Sequence, residues 1–125
     1  MVRHNLVYCL AFGLRREDVL LSDPMKDALS GILHQSAEDR QWTMHEVHVN
    51  SDHVVMVVQS GPDTSVESMI HHFKNMSDKS MKEQFSQLHD LYQDDCLWAD
   101  GYEAETVGES DPEAVEEYLD TVLKS

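Results

Sequence analysis

The residues with the clearest chemical potential lie in the segment Ser51–Met56, at the start of a strand-like run. In a strand, residues two apart point to the same face, so the side chain at position 55 projects beside the imidazole of His53. A second histidine there would aim two imidazoles at one divalent metal ion, but position 55 is a valine, which has no donor atom. His48, on the neighbouring strand, and the carboxylate of Asp52 are candidates to replace the missing ligand.

The same residue types also have structural interpretations. His53 borders a turn and could simply hydrogen-bond there, and His71 with His72 is typical of a solvated helix face. Tyr118 falls on the apolar face of a C-terminal helical pattern, which by itself predicts a packing tyrosine. Trp98 and Tyr102 are expected in a core or in a dimer contact.

An alternating order of strands and helices must position these residues. The predicted elements begin with a strand at Asn5–Phe12, a helix that begins at Ser22–Pro24 and fades near Asp39-Arg40, and a hairpin of Thr43–Val49 and His53–Gln59. A helix with a capping box at Thr64 and Glu67 and a helix at Met81–Tyr92 follow. The last elements are a strand within Cys96–Val107, interrupted near Asp100-Gly101, and a helix from Asp111-Pro112. This order predicts an α+β fold, a ferredoxin-like antiparallel sheet (βαββαβ) plus a C-terminal helix, with residues 1–125 as a single domain.

The composition limits the classes of partner. The chain has 125 residues, with 24 Asp and Glu against 9 Lys and Arg, a formal charge of −15. Twelve of the acids and one base fall between Asp90 and Ser125. This balance disfavours non-specific nucleic-acid binding and docking on an anionic membrane. With two cysteines and no apolar run of membrane length, the sequence predicts a cytoplasmic protein without a membrane partner.

Taken together, these segments resemble the single-tyrosine HUH transposases of bacterial and archaeal insertion sequences and their REP-associated tyrosine transposase relatives. The resemblance runs from His4 to about Val122. It is carried by Asp52-His53-Val54, where the family has Asp-His-Val-His, by Phe73-Lys74 in place of a Leu-Lys pair, by Leu97-Trp98-Ala99-Asp100-Gly101-Tyr102 followed by Thr106-Val107-Gly108, and by Glu117-Tyr118-Leu119-Asp120.

The resemblance implies a homodimer that cleaves and joins single-stranded DNA. Tyr118 would be the catalytic nucleophile, leaving a 5′-phosphotyrosine and a free 3′-hydroxyl, and His53 would ligate Mg²⁺ or Mn²⁺. The family's second histidine corresponds to Val55, and its third ligand, commonly glutamine, corresponds to Val122. We therefore expect a transposase-like protein with impaired catalysis, which would use Mg²⁺ or Mn²⁺ if active and no cofactor otherwise.

Three alternatives stay open at the level of sequence. One is an active transposase with a remodelled metal site, in which His48, Asp52 or a water replaces the lost ligands. Another is an acidic module on the same fold that mimics DNA and binds a protein partner, through carboxylates such as Glu113, Glu116 and Glu117. The third explains only the charge, as an adaptation to a salty cytoplasm. The sequence specifies neither the cognate DNA hairpin nor the protein partner.

Overall fold

The computed structural model describes residues 6–61 and 63–109. Within this part of the chain the elements are β1 (Leu6–Gly13), α1 (Asp23–Asp39), β2 (Thr43–Val49), β3 (His53–Ser60), α2 (Val66–Gln84), α3 (Ser86–Tyr92) and β4 (Glu103–Glu109). None of these helices is both long and apolar enough to cross a membrane. The predicted C-terminal helix, and with it Tyr118, lies outside the described residues.

The four strands form one sheet in the order β2-β3-β1-β4, and every neighbouring pair is antiparallel. The crossover through α1 places β2 two positions from β1, and the crossover through α2 and α3 places β4 two positions from β3. Two interlocked βαβ units of this kind make a ferredoxin-like sheet, so the predicted α+β fold class is confirmed.

Alternation along the two central strands separates two apolar clusters. The larger cluster lies under the helices and joins Leu10 and Phe12 of β1 to Met56 of β3 and to helical residues such as Leu29 and Phe73. The smaller cluster lies on the opposite face of the sheet and contains Val7, Cys9 and Val57. β1 is thus buried on both faces, as its continuous apolar run predicted.

Two helix boundaries differ from the sequence prediction. The N-cap of α2 is Ser65, whose hydroxyl accepts a hydrogen bond from the Ser68 backbone N–H at 3.1 Å, so the capping box at Thr64 was wrong. The predicted helix Met81–Tyr92 is also divided. Phe85 adopts an extended conformation (φ −126°, ψ 100°), so Met81 belongs to α2 and α3 begins at Ser86.

The fourth strand begins at Glu103, just after the predicted interruption near Asp100-Gly101, so the earlier part of the predicted segment Cys96–Val107 is not a strand. An isolated bridge between Leu14 and Trp98 ties the preceding segment to the end of β1. In this bridge the Ala99 N–H donates to the Gly13 carbonyl and the Arg15 N–H donates to the Leu97 carbonyl, both at 2.9 Å. Side chains of α2 add further attachments. Asp78 accepts a hydrogen bond from the Leu97 N–H at 2.8 Å, and Lys82 Nζ donates to the Asp95 carbonyl at 2.6 Å.

Lys74 is the centre of this attachment. Its buried ammonium donates to the carbonyl oxygens of Ala99, Asp100 and Gly101 at 2.7, 3.3 and 3.0 Å, and it lies 5.7 Å from the ring centre of Phe12. Burial lowers the pKa of Lys74 from its ordinary value. The carbonyl contacts compensate part of the cost of burying the charge and fix the backbone that leads into β4.

The C-terminus of α1 is a Schellman motif built on a non-glycine residue. The Trp42 N–H donates to the Ala37 carbonyl at 3.0 Å, and the Gln41 N–H donates to the Glu38 carbonyl at 3.0 Å. Gln41 has φ 61°, the left-handed conformation that favours glycine. The motif turns the chain directly from α1 into β2 and fixes the backbone on both sides of Gln41.

Replacing Lys74 with methionine should lower the free energy of unfolding by about 1.5–3 kcal/mol, because three carbonyls lose a charged donor while the packing volume is kept. Urea denaturation measures the change. Lys79→Met, at an exposed position of the same helix, is the control and should stay within about 0.5 kcal/mol of the parent. Equal losses in the two variants would contradict a structural role for the ammonium group.

Gln41→Gly should raise the free energy of unfolding by about 0.5–1 kcal/mol, because glycine adopts the left-handed conformation without steric cost. Thermal and urea unfolding both report it. The matched control is Gln35→Gly in the interior of α1, which should lose about 1 kcal/mol. A destabilised Gln41→Gly protein would refute the assignment of strain to this residue.

Candidate active site

The hairpin turn between β2 and β3 positions His53. The Asn50 N–H donates to the His53 carbonyl at 2.8 Å, which closes the turn. The turn is also tied to the loop after β1, since its Asp52 carbonyl accepts from the Leu14 N–H at 2.9 Å. His53 pairs with Gly13 in the register of β3 and β1, and 47% of its side chain is exposed.

Both imidazole nitrogens of His53 are engaged by turn residues. Nδ1 lies 2.7 Å from Asp52 Oδ1, and Nε2 lies 3.1 Å from Asn50 Nδ2. The hydrogen bond from His53 lowers the pKa of Asp52, so the carboxylate is ionised and accepts the Nδ1 proton. Nε2 then carries the lone pair that accepts from the Asn50 amide. A carboxylate behind an imidazole in this way orients histidine for binding a metal through the other nitrogen.

Val55 is the next residue of β3 on the face that carries His53. Its cross-strand partners are Ala11 on β1 and His48 on β2. The side chain is half-buried and packs against the small apolar cluster of Val7, Cys9 and Val57. The position beside His53 therefore carries hydrocarbon where a second donor would be needed.

His48 contacts Glu46 of its own strand. Its Nε2 atom is buried and lies 3.0 Å from Glu46 Oε1, without the alignment of a hydrogen bond. Glu46 lies farther from the hairpin turn, whereas the His53 ring contacts Asn50 and Asp52 within the turn. The sequence analysis names both histidines as metal ligands, and in the structure their rings contact different residues. His48 as a substitute ligand stays a prediction.

The described residues fit a divalent metal ion only in part. They supply one imidazole oriented by a carboxylate, and the part of the chain that the structure describes contains no group of three or more His, Cys, Asp or Glu side chains arranged to hold a metal ion. Val122, the counterpart of the family's third ligand, lies outside the described residues. We therefore derive no catalytic step through a metal ion.

His53 also lines a shallow cleft of about 380 Å³ that the sequence did not predict. The cleft crosses β1 at Gly13 and reaches Tyr102 and Glu103 at the start of β4. Tyr102 is 41% exposed, whereas Trp98 is fully buried and donates to the Ser77 hydroxyl at 2.9 Å. Because 49 positions separate His53 from Tyr102, only the strand order brings them together.

The surroundings of the cleft are acidic. Glu103 lines it, Asp52 lies behind the imidazole, and the exposed carboxylate of Asp100 lies in the segment that leads into β4. Arg15 Nη2 lies 2.7 Å from Asp100 Oδ1, so this guanidinium is already committed to an ion pair. A phosphodiester entering the cleft would meet more carboxylates than available cations.

Two solved structures described as transposases share this fold. One solved structure, a candidate transposase from Deinococcus radiodurans R1, superposes with a TM-score of 0.76 at 22% identity, covering 94% of this chain and 90% of that one. A second, a REP-associated tyrosine transposase bound to a REP hairpin, gives a TM-score of 0.61 at 12% identity, covering 91% of this chain and 62% of that one. At these identities the likeness concerns the fold. Among curated protein sequences, none matches the chain significantly.

Sequence comparison gives the more specific result. The family model of IS200-like transposases matches residues 2–121, nearly the whole chain, including the His53 turn, the Lys74 helix and the region of Tyr118. The chain therefore belongs to the IS200-like transposase family.

Proposed function

We propose that this protein is an IS200-like transposase relative whose metal-dependent DNA cleavage is impaired and that it acts by binding single-stranded DNA or a protein partner. The observation that carries the proposal is Val55, packed in an apolar cluster at the position where a second metal ligand would stand beside His53. One imidazole alone is a weak site for Mg²⁺ or Mn²⁺, since these ions prefer several oxygen or nitrogen donors held in octahedral geometry.

The chemistry of the family explains why this loss matters. A tyrosine phenol has an ordinary pKa near 10 and is a poor nucleophile at neutral pH. When Tyr118 attacks phosphorus, the bond to the 3′-oxygen breaks and its electron pair stays on that oxygen, so negative charge develops on the phosphate and on the leaving group. A bound divalent cation would stabilise this charge. The carboxylates around the His53 cleft would instead repel the negative charge that develops on the phosphate.

The substrate class is taken from the family and from one neighbour. The REP-associated tyrosine transposase was solved with a REP hairpin, so a hairpin-bearing single strand is the first DNA to test. By the same reasoning the protein is proposed to act as a homodimer. The charge of −15 weakens contact with phosphates and leaves a protein partner as the alternative ligand.

One observation favours the alternative of an active enzyme with a remodelled site. The pair of Asp52 and His53 keeps the orientation that a metal-binding imidazole requires, with 2.7 Å between Oδ1 and Nδ1. Rotation of the His48 ring away from Glu46 would then have to supply a second nitrogen donor. The affinity for Mn²⁺ distinguishes the impaired protein from the active enzyme with a remodelled site.

For the impaired protein we expect Mn²⁺ binding by calorimetry to be weak and equal in the parent and His53→Ala. Val55→His should create a site of higher affinity, because it places a second imidazole on the same strand face. The control carries Val55→His together with His53→Ala and should lose this gain. A micromolar site in the parent that His53→Ala abolishes would establish the remodelled enzyme and end the proposal.

Restoring both ligand positions should restore DNA chemistry. The parent is expected to form no covalent adduct with hairpin-bearing single-stranded DNA in Mn²⁺, whereas Val55→His with Val122→Gln should form one, visible as a shifted band under denaturing conditions. Adding Tyr118→Phe to the restored protein removes the nucleophile and should abolish the band. An adduct already formed by the parent would show that its chemistry is intact.

A further inference from the structure

A polar groove lies between the end of α1, the start of β2 and the exposed face of α2. It encloses about 660 Å³, within the size range of small-ligand sites. We call it the Arg40 groove; among the residues that line it are Arg40, Trp42, Asp63, His71, His72 and Asn75. Neither the family resemblance nor the His53 cleft accounts for these residues.

The charge balance of the groove differs from that of the chain. Arg40 and two histidines line it with one acid, Asp63, in a protein that has 24 acids and 9 bases. Arg15 and Arg16 are held in ion pairs with Asp100 and Asp18, both at 2.7 Å. Within residues 6–61 and 63–109, the exposed guanidinium of Arg40 makes no hydrogen bond or ion pair, and so remains available to an anion.

Trp42 supplies an aromatic wall that is rigidly held. Its ring meets His72 edge-on, with 5.3 Å between centroids and an interplanar angle of 89°, and it lies 5.5 Å from the Phe73 ring. The Schellman motif fixes its backbone next to Arg40. The ring is half-buried, so part of it faces the groove. An indole wall of this kind is a stacking surface for a nucleobase.

The remaining polar groups of the groove suit the edge of a base. His72 Nε2 donates to the Ser36 carbonyl at 2.8 Å, which leaves Nδ1 as an acceptor in the neutral ring. The exposed amide of Asn75, one helical turn beyond His71 on α2, offers both donors and an acceptor. A cation, an aromatic wall and an amide in one groove are the components that contact the phosphate, the face and the edge of a nucleotide.

We propose that the Arg40 groove binds one unpaired nucleotide of single-stranded DNA, with its phosphate on Arg40 and its base against Trp42. The guanidinium can meet a phosphate with two parallel hydrogen bonds. Trp42 precedes the first residue of β2, whereas His53 follows the turn at the other end, so the length of the strand, about 20 Å, separates the groove from the His53 cleft. The choice of a DNA ligand rests on the proposed function, but binding here requires no metal.

The test measures binding of a fluorescein-labelled single-stranded oligothymidylate by anisotropy, with EDTA present and at one low salt concentration. Arg40→Ala should weaken binding about tenfold or more, because it removes a charged hydrogen-bond donor. Lys26→Ala makes the same change of net charge at the far end of α1 and should bind like the parent. An unlabelled oligonucleotide should quench Trp42 fluorescence, and Trp42→Phe should remove that quenching, since the other tryptophan, Trp98, is fully buried.

Competition identifies the ligand. Thymidine monophosphate should displace the oligonucleotide at much lower concentrations than inorganic phosphate does. Equal competition by the two would reveal a simple anion site and overturn the proposal, as would equal weakening by Arg40→Ala and Lys26→Ala or the absence of any binding by the parent. Because the assay contains no metal, its failure leaves the Mn²⁺ results on the His53 cleft unchanged.

Discussion

The buried ammonium group of Lys74 organises the half of the molecule that borders the candidate active site. Residues 96–102 have neither helical hydrogen bonds nor a continuous strand ladder, so their backbone groups need other partners. Lys74 supplies three donors to successive carbonyls, and Asp78 and Lys82 continue the attachment along the same helix. This fixes where β4 begins, and with it the position of Tyr102 beside His53.

In the candidate active site a carboxylate orients one imidazole, and the neighbouring position on the strand carries a hydrocarbon side chain. Asp52 holds the His53 ring through Nδ1, and Nε2, the nitrogen that could bind a ligand, accepts a hydrogen bond from the Asn50 amide. The next position on the same strand face, Val55, belongs to an apolar cluster that it shares with Val57 and Cys9. A histidine at that position would have to exchange hydrophobic contacts for a polar ring. The valine thus contributes to packing beside the imidazole of His53.

The His53 cleft and the Arg40 groove differ in the charged groups that surround them. The His53 cleft is bordered by carboxylates, and its nearby arginine is paired with Asp100. The Arg40 groove, at the other end of β2, combines an aromatic wall with a guanidinium that has no partner within the described part of the chain. In a chain of charge −15, attraction for a phosphate must be local, since the field of the whole protein repels polyanions.

The sequence by itself determined the features of the fold that depend on local periodicity. Alternation and apolar runs predicted β1, β2 and β3 to within a residue or so, the order of elements predicted the ferredoxin-like sheet, and the two-residue period placed Val55 beside His53. The attachment of residues 96–102, the division of the helix at Phe85 and the contact of His48 with Glu46 were decided only by the tertiary structure. Each depends on partners distant in sequence or on a choice between competing neighbours. Lys74, for example, donates hydrogen bonds to carbonyls 25 to 27 residues away. Local spacing carries no information about such pairings, because they form only once the sheet and helices have packed together.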